Sequence, residues 1–256
     1  MESKFRLLTD SNWQIITPFL KNNRPSRLDL RSVVDAIRWL VRTGTQWRNL
    51  DSQFPKWGSV YYYYRKWVRD GTIEVIMNAL VKKERTDNDK EETPSLLAID
   101  SQSVKTAPFI WEEKGFDGNK KISGRKRHIV VDSQGLPWAI HVSSANQSDG
   151  EAGLELLPKI DHSKLDRLEV VKGDSAYGGV FKEASRWYGW ETESKQPPPS
   201  EQGFVPVKHR WQVERSFGWL NFFRRLSKDY EKTIQSSIGF IAMAFIDIIF
   251  ARFDKR

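Results

Sequence analysis

"SLLAIDSQSV", Ser95–Val104, is where the character of the chain changes. Leu96 to Ile99 form a short unbroken apolar run that stops at Asp100. A run of this length with polar neighbours predicts a buried β-strand ending near Asp100. A carboxylate at the end of a buried apolar strand is costly unless it is paired or binds a cation. The pattern returns in "RLEVVKGD", Arg167–Asp174, which predicts a second buried strand ending at Asp174. Set side by side, two such strands bring their carboxylates to one edge of a sheet, where α/β proteins commonly bind ligands.

Outward from these two strands the pattern alternates. "RHIVVDSQGLPWAIHVSSA" (Arg127–Ala145) predicts two strands joined by a turn at Ser133 to Pro137. "DGEAGLELLPKI" and "GGVFKEASRWYG" predict helices, and "WETESK" a strand. "FIWEEKGFDGNKKISGRK" (Phe109–Lys126), rich in Gly and Lys, reads as a loop. Three consecutive prolines make "QPPPSEQGFVPVK" irregular. A helix at "RWQVERSFGWLNFFRR" and an apolar helix after it complete a mixed α/β order. The stretch Ile238–Ala251 reads as buried: it is shorter than the roughly 20 residues of a membrane span, and Asp247 interrupts it.

Upstream the chain reads as helical. Thr9 or Asp10 offers an N-cap before Trp13, Ile16 and Phe19. Val33, Ile37, Leu40 and Val41 share one helical face that ends at Gly44. "GSVYYYYRKWVRDG" predicts a helix capped by Ser59, with Val60, Tyr63 or Tyr64, and Trp67 inward. Arg65, Lys66 and Arg69 then face outward. Two readings stay open: a helix-turn-helix-like DNA-binding region, or a bundle with a solvated basic face. The polar run Lys82–Ser95 reads as a linker. The predicted organisation is a helical region over 1–85, a linker over 86–95 and a mixed-sheet domain over 96–256.

The 256 residues carry a net charge of +8 and no cysteine. Disulfides and thiolate metal sites are excluded, and the positive charge favours a polyanionic partner such as nucleic acid. The N-terminus has no apolar signal core, so a cytoplasmic, nucleoid-associated protein without a membrane segment is expected.

In "RWQVERSFGWLNFFRR", Arg210–Arg225, an ideal helix places Arg210, Glu214, Gly218, Asn221 and Arg225 on one stripe. Trp211, Leu220 and Phe222 point elsewhere, as anchors in the core. Glu214 is then either half of a surface ion pair with Arg210 or a third carboxylate beside Asp100 and Asp174. Three carboxylates without thiolates suit Mg²⁺ or Mn²⁺. Two such ions clamp a phosphodiester during in-line displacement.

Five segments in order carry a resemblance: "LAIDSQSVK", "GRKRHIVVDSQGLP", "SSANQSDGEAG", "VVKGDSAYGG" and "HRWQVERSFGWLNFFRRLSKDYEKT". With them the chain resembles the DDE transposases of bacterial insertion sequences, in the insertion sequence 5 branch of the 4/5 group. "WLVRTGTQWRNLDSQFPKWGSVYYYYRKW" is similar to that family's leading helical domain. The resemblance implies a ribonuclease H-like catalytic domain, with Asp100, Asp174 and Glu214 as the catalytic, metal-holding triad. It implies two Mg²⁺ or Mn²⁺ ions per site, and cleavage at terminal inverted repeats followed by joining to target DNA. Because two ends must meet, it also implies a homodimer on double-stranded DNA. In the family's pattern of Tyr, two residues, Arg, three residues, Glu, six residues, Lys, the chain matches at Arg210 and Glu214. Val207 stands at the Tyr position and Asn221 at the Lys position, with Arg224 and Arg225 as replacement cations toward DNA. Lys120, Lys121, Arg125, Lys126 and Arg127 form a basic cluster expected to track phosphates. His128 is expected to pack, Tyr177 either to pack or to meet DNA near the cut, and Asp149 to cap a helix rather than to act as a fourth metal ligand. The rival readings are a relative that only binds DNA, and a nuclease without strand transfer.

Overall fold

Thr9 opens the first helix, α1 (Asp10–Ile16), by accepting the Asn12 N–H on its hydroxyl. Helix α2 (Leu30–Thr43) starts at Asp29, whose carboxylate accepts the Arg31 and Ser32 N–H groups, and ends at Gly44 in the left-handed region. Val33, Ile37, Leu40 and Val41 are all fully buried, as their spacing predicts. This computed structural model describes residues 5–20, 28–160, 165–194 and 210–256, with Arg210 in its backbone alone. The segment from Gln196 to Lys208 that is expected to be irregular, including Val207, lies outside the described residues.

Helix α3 (Trp57–Arg69) buries Val60, Tyr64 and Trp67. It begins at Trp57, two residues before the expected Ser59 cap, and its first turn has no side-chain cap. Helix α4 (Thr72–Thr86) runs into the segment expected to be a linker. The charges there have partners that the local sequence does not reveal. Arg85 donates to Asp132 at 2.6 Å, and Glu84 pairs with Arg256 at 3.0 Å and Arg252 at 3.4 Å.

Six strands form one mixed sheet. They are β1 (Leu96–Lys105), β2 (Gly115–Asp117), β3 (Ile122–Val131), β4 (Pro137–Ser144), β5 (Val170–Gly173) and β6 (Glu191–Ser194). β3 lies antiparallel between β1 and β4, β5 runs parallel to β1, and β6 runs parallel to β5. β2 pairs with the first residues of β3, beyond the end of β4. Two expectations are corrected here. β1 continues five residues past Asp100, because Ser101 and Ser103 find carboxylate partners in Asp149 and Asp117, at 2.9 and 2.5 Å. The segment expected to be a loop contains β2 and the start of β3, where Arg125 and, just beyond, Arg127 find carbonyl acceptors inside the protein.

Helices α5 (Asp149–Leu154) and α6 (Val180–Trp187) fill the crossings to β5 and β6. α7 (Arg210–Leu220) packs across β1 and β3. α8 (Ile234–Phe253) packs against α2, α4 and β4. By length and composition α8 is able to cross a membrane, which corrects the expectation that this stretch is too short. Most of it is nevertheless buried, including Phe240, Phe245, Ile249 and Phe250. Asp247 on α8 is also buried, held by Arg38 at 2.7 Å and Arg42 at 3.0 Å. One continuous apolar cluster therefore joins the N-terminal helices to α8 and the sheet.

Candidate active site

The two strand aspartates come together through register. In the parallel pair β1/β5, Leu96 lies opposite Val170 and Ala98 opposite Lys172. Asp100 and Asp174 lie two residues beyond the last pair on each chain, Asp174 just past the end of β5, so continuing the register points them to the same end of neighbouring strands. Neighbouring strands lie roughly 4.8 Å apart. Both aspartates are half-buried. Asp174 follows the last residue of β5, and its carboxylate accepts the Ala176 N–H at 3.0 Å, fixing the turn that follows. Gly173 makes that turn close: a Cβ there would meet the Tyr177 ring at 2.8 Å and Ile99 at 3.0 Å.

A polar layer lies behind this pair. Asp149 is the first residue of α5; the cap itself is Ser148, which accepts the Glu151 N–H, so the expectation that Asp149 caps the helix is corrected. The Asp149 carboxylate instead accepts from Ser101 Oγ at 2.9 Å and sits 3.0 Å from Lys126 Nζ. Lys126 also donates to the Gln147 carbonyl at 3.0 Å. Tyr177 is fully buried, which favours its packing role over contact with DNA, and its hydroxyl has no hydrogen-bond partner among the described residues. Burial pushes the Tyr177 hydroxyl well above its ordinary range, and Asp149, Asp100 and Asp174 push it in the same direction. His128 is buried too, with Nε2 2.9 Å from Ser143 Oγ. Burial lowers its pKa to about 3.

Glu214 is exposed on α7. The side chains that seat this helix are Val213, Ser216, Phe217 and Leu220. Trp211 and Phe222 are 56% and 69% exposed, so the expectation that they anchor the core is corrected. Trp211 covers Arg215 from one side, with the guanidinium carbon 4.4 Å from its ring centroid, and Trp219 lies 4.9 Å away on the same helix. Ser216 donates to the Gly135 carbonyl at 2.8 Å and fastens α7 to the β3–β4 turn. Gly135 has φ +76°, and a Cβ there would come within 2.9 Å of Trp219. The expected five-residue stripe stops at Leu220, where α7 ends; Asn221 is exposed beyond the helix and Arg225 lies in a separate turn. The side chain of Arg210 lies outside the described residues.

The basic residues separate into two groups. Arg125 is fully buried, 3.3 Å from Asp229, and donates to the carbonyls of Glu231, Glu112 and Lys232. Arg127 is 2% exposed and donates to the Leu226 carbonyl. Arg225 is buried against Glu231 at 2.7 Å and also donates to the Thr45 carbonyl. For these three, and for Lys126 held by Asp149, a role in tracking phosphates is corrected: β3 is buried on both faces from Gly124 onward, and Arg225 is held by Glu231. Lys120, Lys121, Arg224, Arg65 and Arg69 are exposed, and Lys66 is half-buried.

The donor chemistry suits a hard divalent cation, since Asp100, Asp174 and Glu214 offer only carboxylate oxygens. Among the described residues, no three Asp, Glu, His or Cys side chains are already gathered into one metal-holding group. The register points Asp100 and Asp174 to one end of β1 and β5, and Glu214 is carried by α7, which packs against β1. Sequence reasoning missed Ser101 and the partner role of Asp149. The alternating polar residues of "DSQSVK" were the available signal.

Comparison with known proteins adds to this geometry. Residues 91–246 match the family described as "Transposase DDE domain", and residues 8–77 match the one described as "Putative transposase of IS4/5 family". A "Putative transposase for insertion sequence element IS402" from Burkholderia cepacia is 31% identical over 122 residues, covering 43% of this chain and 54% of that protein. An "Uncharacterized protein y4sN" from Sinorhizobium fredii is 28% identical over 80 residues, covering 30% of this chain and 64% of that protein. Each match spans less than two thirds of the relative's own length.

Proposed function

The chain belongs to the DDE-domain transposases of the IS4/5 group, and from that premise we propose that it binds the terminal inverted repeats of an insertion sequence, cuts at the element ends and joins them to target DNA. The observation that supports this reading is the parallel register of β1 and β5, whose next residues lead toward Asp100 and Asp174. The strand order supports a ribonuclease H-like domain: an antiparallel β1, β3 and β4 are followed by β5 and β6 parallel to β1, with helices in the crossings. The exposed Arg65 and Arg69 on α3 support a DNA-binding role for the helical region, in the manner of a helix-turn-helix.

In this reading Asp100 and Asp174 hold Mg²⁺ or Mn²⁺ between neighbouring strands, and Glu214 completes the oxygen set from α7. When bound, a pair of such ions supplies activation of the attacking oxygen and charge stabilisation at the leaving one. The protein's own contribution is placement. β1 and β5 fix two carboxylates by register, the Ala176 N–H orients one of them, and Val213, Ser216, Phe217 and Leu220 seat α7 so that Glu214 faces outward. Water attacks the phosphodiester at the element end, the bond to the 3′-oxygen breaks, and the freed 3′-hydroxyl attacks a target phosphodiester. Both steps are in-line displacements at phosphorus, so one site serves both. Handling two ends calls for a homodimer.

The test is incubation of the purified chain with Mg²⁺ and DNA carrying the inverted repeats that bracket its gene. Cut ends bearing 3′-hydroxyls together with joined products support the reading. Cutting without joining leaves a nuclease, and a shifted but uncut DNA leaves a binding protein.

A further inference from the structure

Asp149 is too well placed to be a spare acid at a helix start. The α5 cap is Ser148, so the helix does not use the Asp149 side chain. That carboxylate reaches across to two strands at once, accepting from Ser101 on β1 and pairing with Lys126 on β3. Side chains alternate along a strand, so Ser101 points to the face of β1 opposite Asp100. Ser103 lies opposite Lys126 in the ladder, and Ser101 opposite His128, so the polar layer occupies that opposite face. The Ser101 backbone N–H donates to Asp100 Oδ1 at 2.7 Å. A chain of contacts therefore runs from Lys126 to Asp149 to Ser101 to Asp100.

The same layer contains the Tyr177 hydroxyl, fully buried and without a hydrogen-bond partner among the described residues. Buried polar atoms without partners are uncommon and ordinarily selected against. Tyr177 packs on Gly173, one residue before Asp174, and on Gly153 of α5. α5 thus touches the surroundings of both carboxylates from behind, through Asp149 at Asp100 and through Gly153 and Tyr177 at Asp174.

We propose that Asp149 is a positioning residue: held by Lys126, it pins Ser101 from behind the sheet and so fixes the Asp100 carboxylate toward Asp174, without itself binding the cation. This rests on the reading that Asp100 and Asp174 hold a divalent metal. Groups that orient metal ligands typically change metal affinity by 10- to 100-fold when removed.

The test is titration of the full-length chain with Mn²⁺ alone, without DNA, followed by electron paramagnetic resonance, with a thermal melt of each variant. Ser101→Ala and Asp149→Ala are expected to weaken Mn²⁺ binding about tenfold. Ser101→Thr keeps the hydroxyl and is expected to stay within about twofold of the parent. Asp100→Asn serves as the reference for loss of a ligand. Unchanged Mn²⁺ affinity in Ser101→Ala and Asp149→Ala, with or without a lower melting temperature, overturns the proposal. A loss in Asp149→Ala as complete as in Asp100→Asn also overturns it, because Asp149 is then a ligand. A parent chain that binds no Mn²⁺ overturns the metal-holding reading as well. Normal binding by the parent with unaffected variants overturns only the positioning role.

Discussion

Arg38 on α2 grips Asp247 on α8 across the core, with Nη2 2.7 Å and Nε 2.8 Å from the same carboxylate oxygen. Both side chains are buried. The pair explains how an otherwise apolar helix accommodates an acid, and it ties the N-terminal helices to the end of the chain. Removing Asp247 leaves Arg38 paired with Asp35 at 2.6 Å but takes away its second acceptor, a loss typical of an unsatisfied buried group at about 1–3 kcal/mol. Asp247→Ala is therefore expected to lower the unfolding free energy by about that amount in urea titration. A loss below about 1 kcal/mol would contradict this account of α8.

The two groups of basic residues separate stability from DNA binding. Arg125→Ala removes the buried partner of Asp229 and is expected to destabilise the fold by about 3–5 kcal/mol. Lys120→Ala and Lys121→Ala, at exposed turn positions, are expected to change stability by no more than about 0.5 kcal/mol. If these lysines meet phosphates, each replacement reduces the salt-dependence slope of DNA binding by about one. Measuring binding at several salt concentrations decides the point. An unchanged slope removes both lysines from the interface.

His128 gives the fold a pH dependence. Its folded pKa of about 3 lies below the ordinary value of 6.5, because burial disfavours the charged ring. The unfolded chain therefore binds the proton first. The contribution of His128 to stability is complete above pH 6.5 and declines as pH falls from there toward 3, with a slope of up to about 1.4 kcal/mol per pH unit. His141, whose ring centroid lies 5.9 Å away, is lowered by burial too and acts in the same direction. Chemical denaturation at pH 7.0 and pH 5.5 is expected to show a smaller loss in His128→Leu than in the parent. Equal losses would mean that His128 is not the group responsible.

What the sequence revealed, and what it hid, follows from the range of the interactions. Val33, Ile37, Leu40 and Val41 announce a buried face because helical periodicity is local. Asp100 and Asp174 stand out because a carboxylate ending an apolar run is unusual within a few residues. The full length of β1 stayed hidden because Ser101 finds its partner in Asp149, 48 residues away. Arg125 and Arg127 looked like a surface cluster because their acceptors lie about a hundred residues downstream, at Glu231 and Leu226. Trp211 and Phe222 looked like anchors because aromatic residues usually are; α7 instead turns Val213, Phe217 and Leu220 inward. The role of Glu214 depends on which face of α7 looks outward, and the helix's own periodicity does not specify that.

The most direct measurement is Mg²⁺-dependent cutting of inverted-repeat DNA by the parent chain and by the single variants Asp100→Asn, Asp174→Asn and Glu214→Gln, with a DNA-binding assay alongside. Each variant is expected to bind DNA but to cut it roughly 10²-fold more slowly or worse, on the scale of losing one preorganised transition-state contact. Full cutting by all three variants would contradict the assignment of Asp100, Asp174 and Glu214 as the active site.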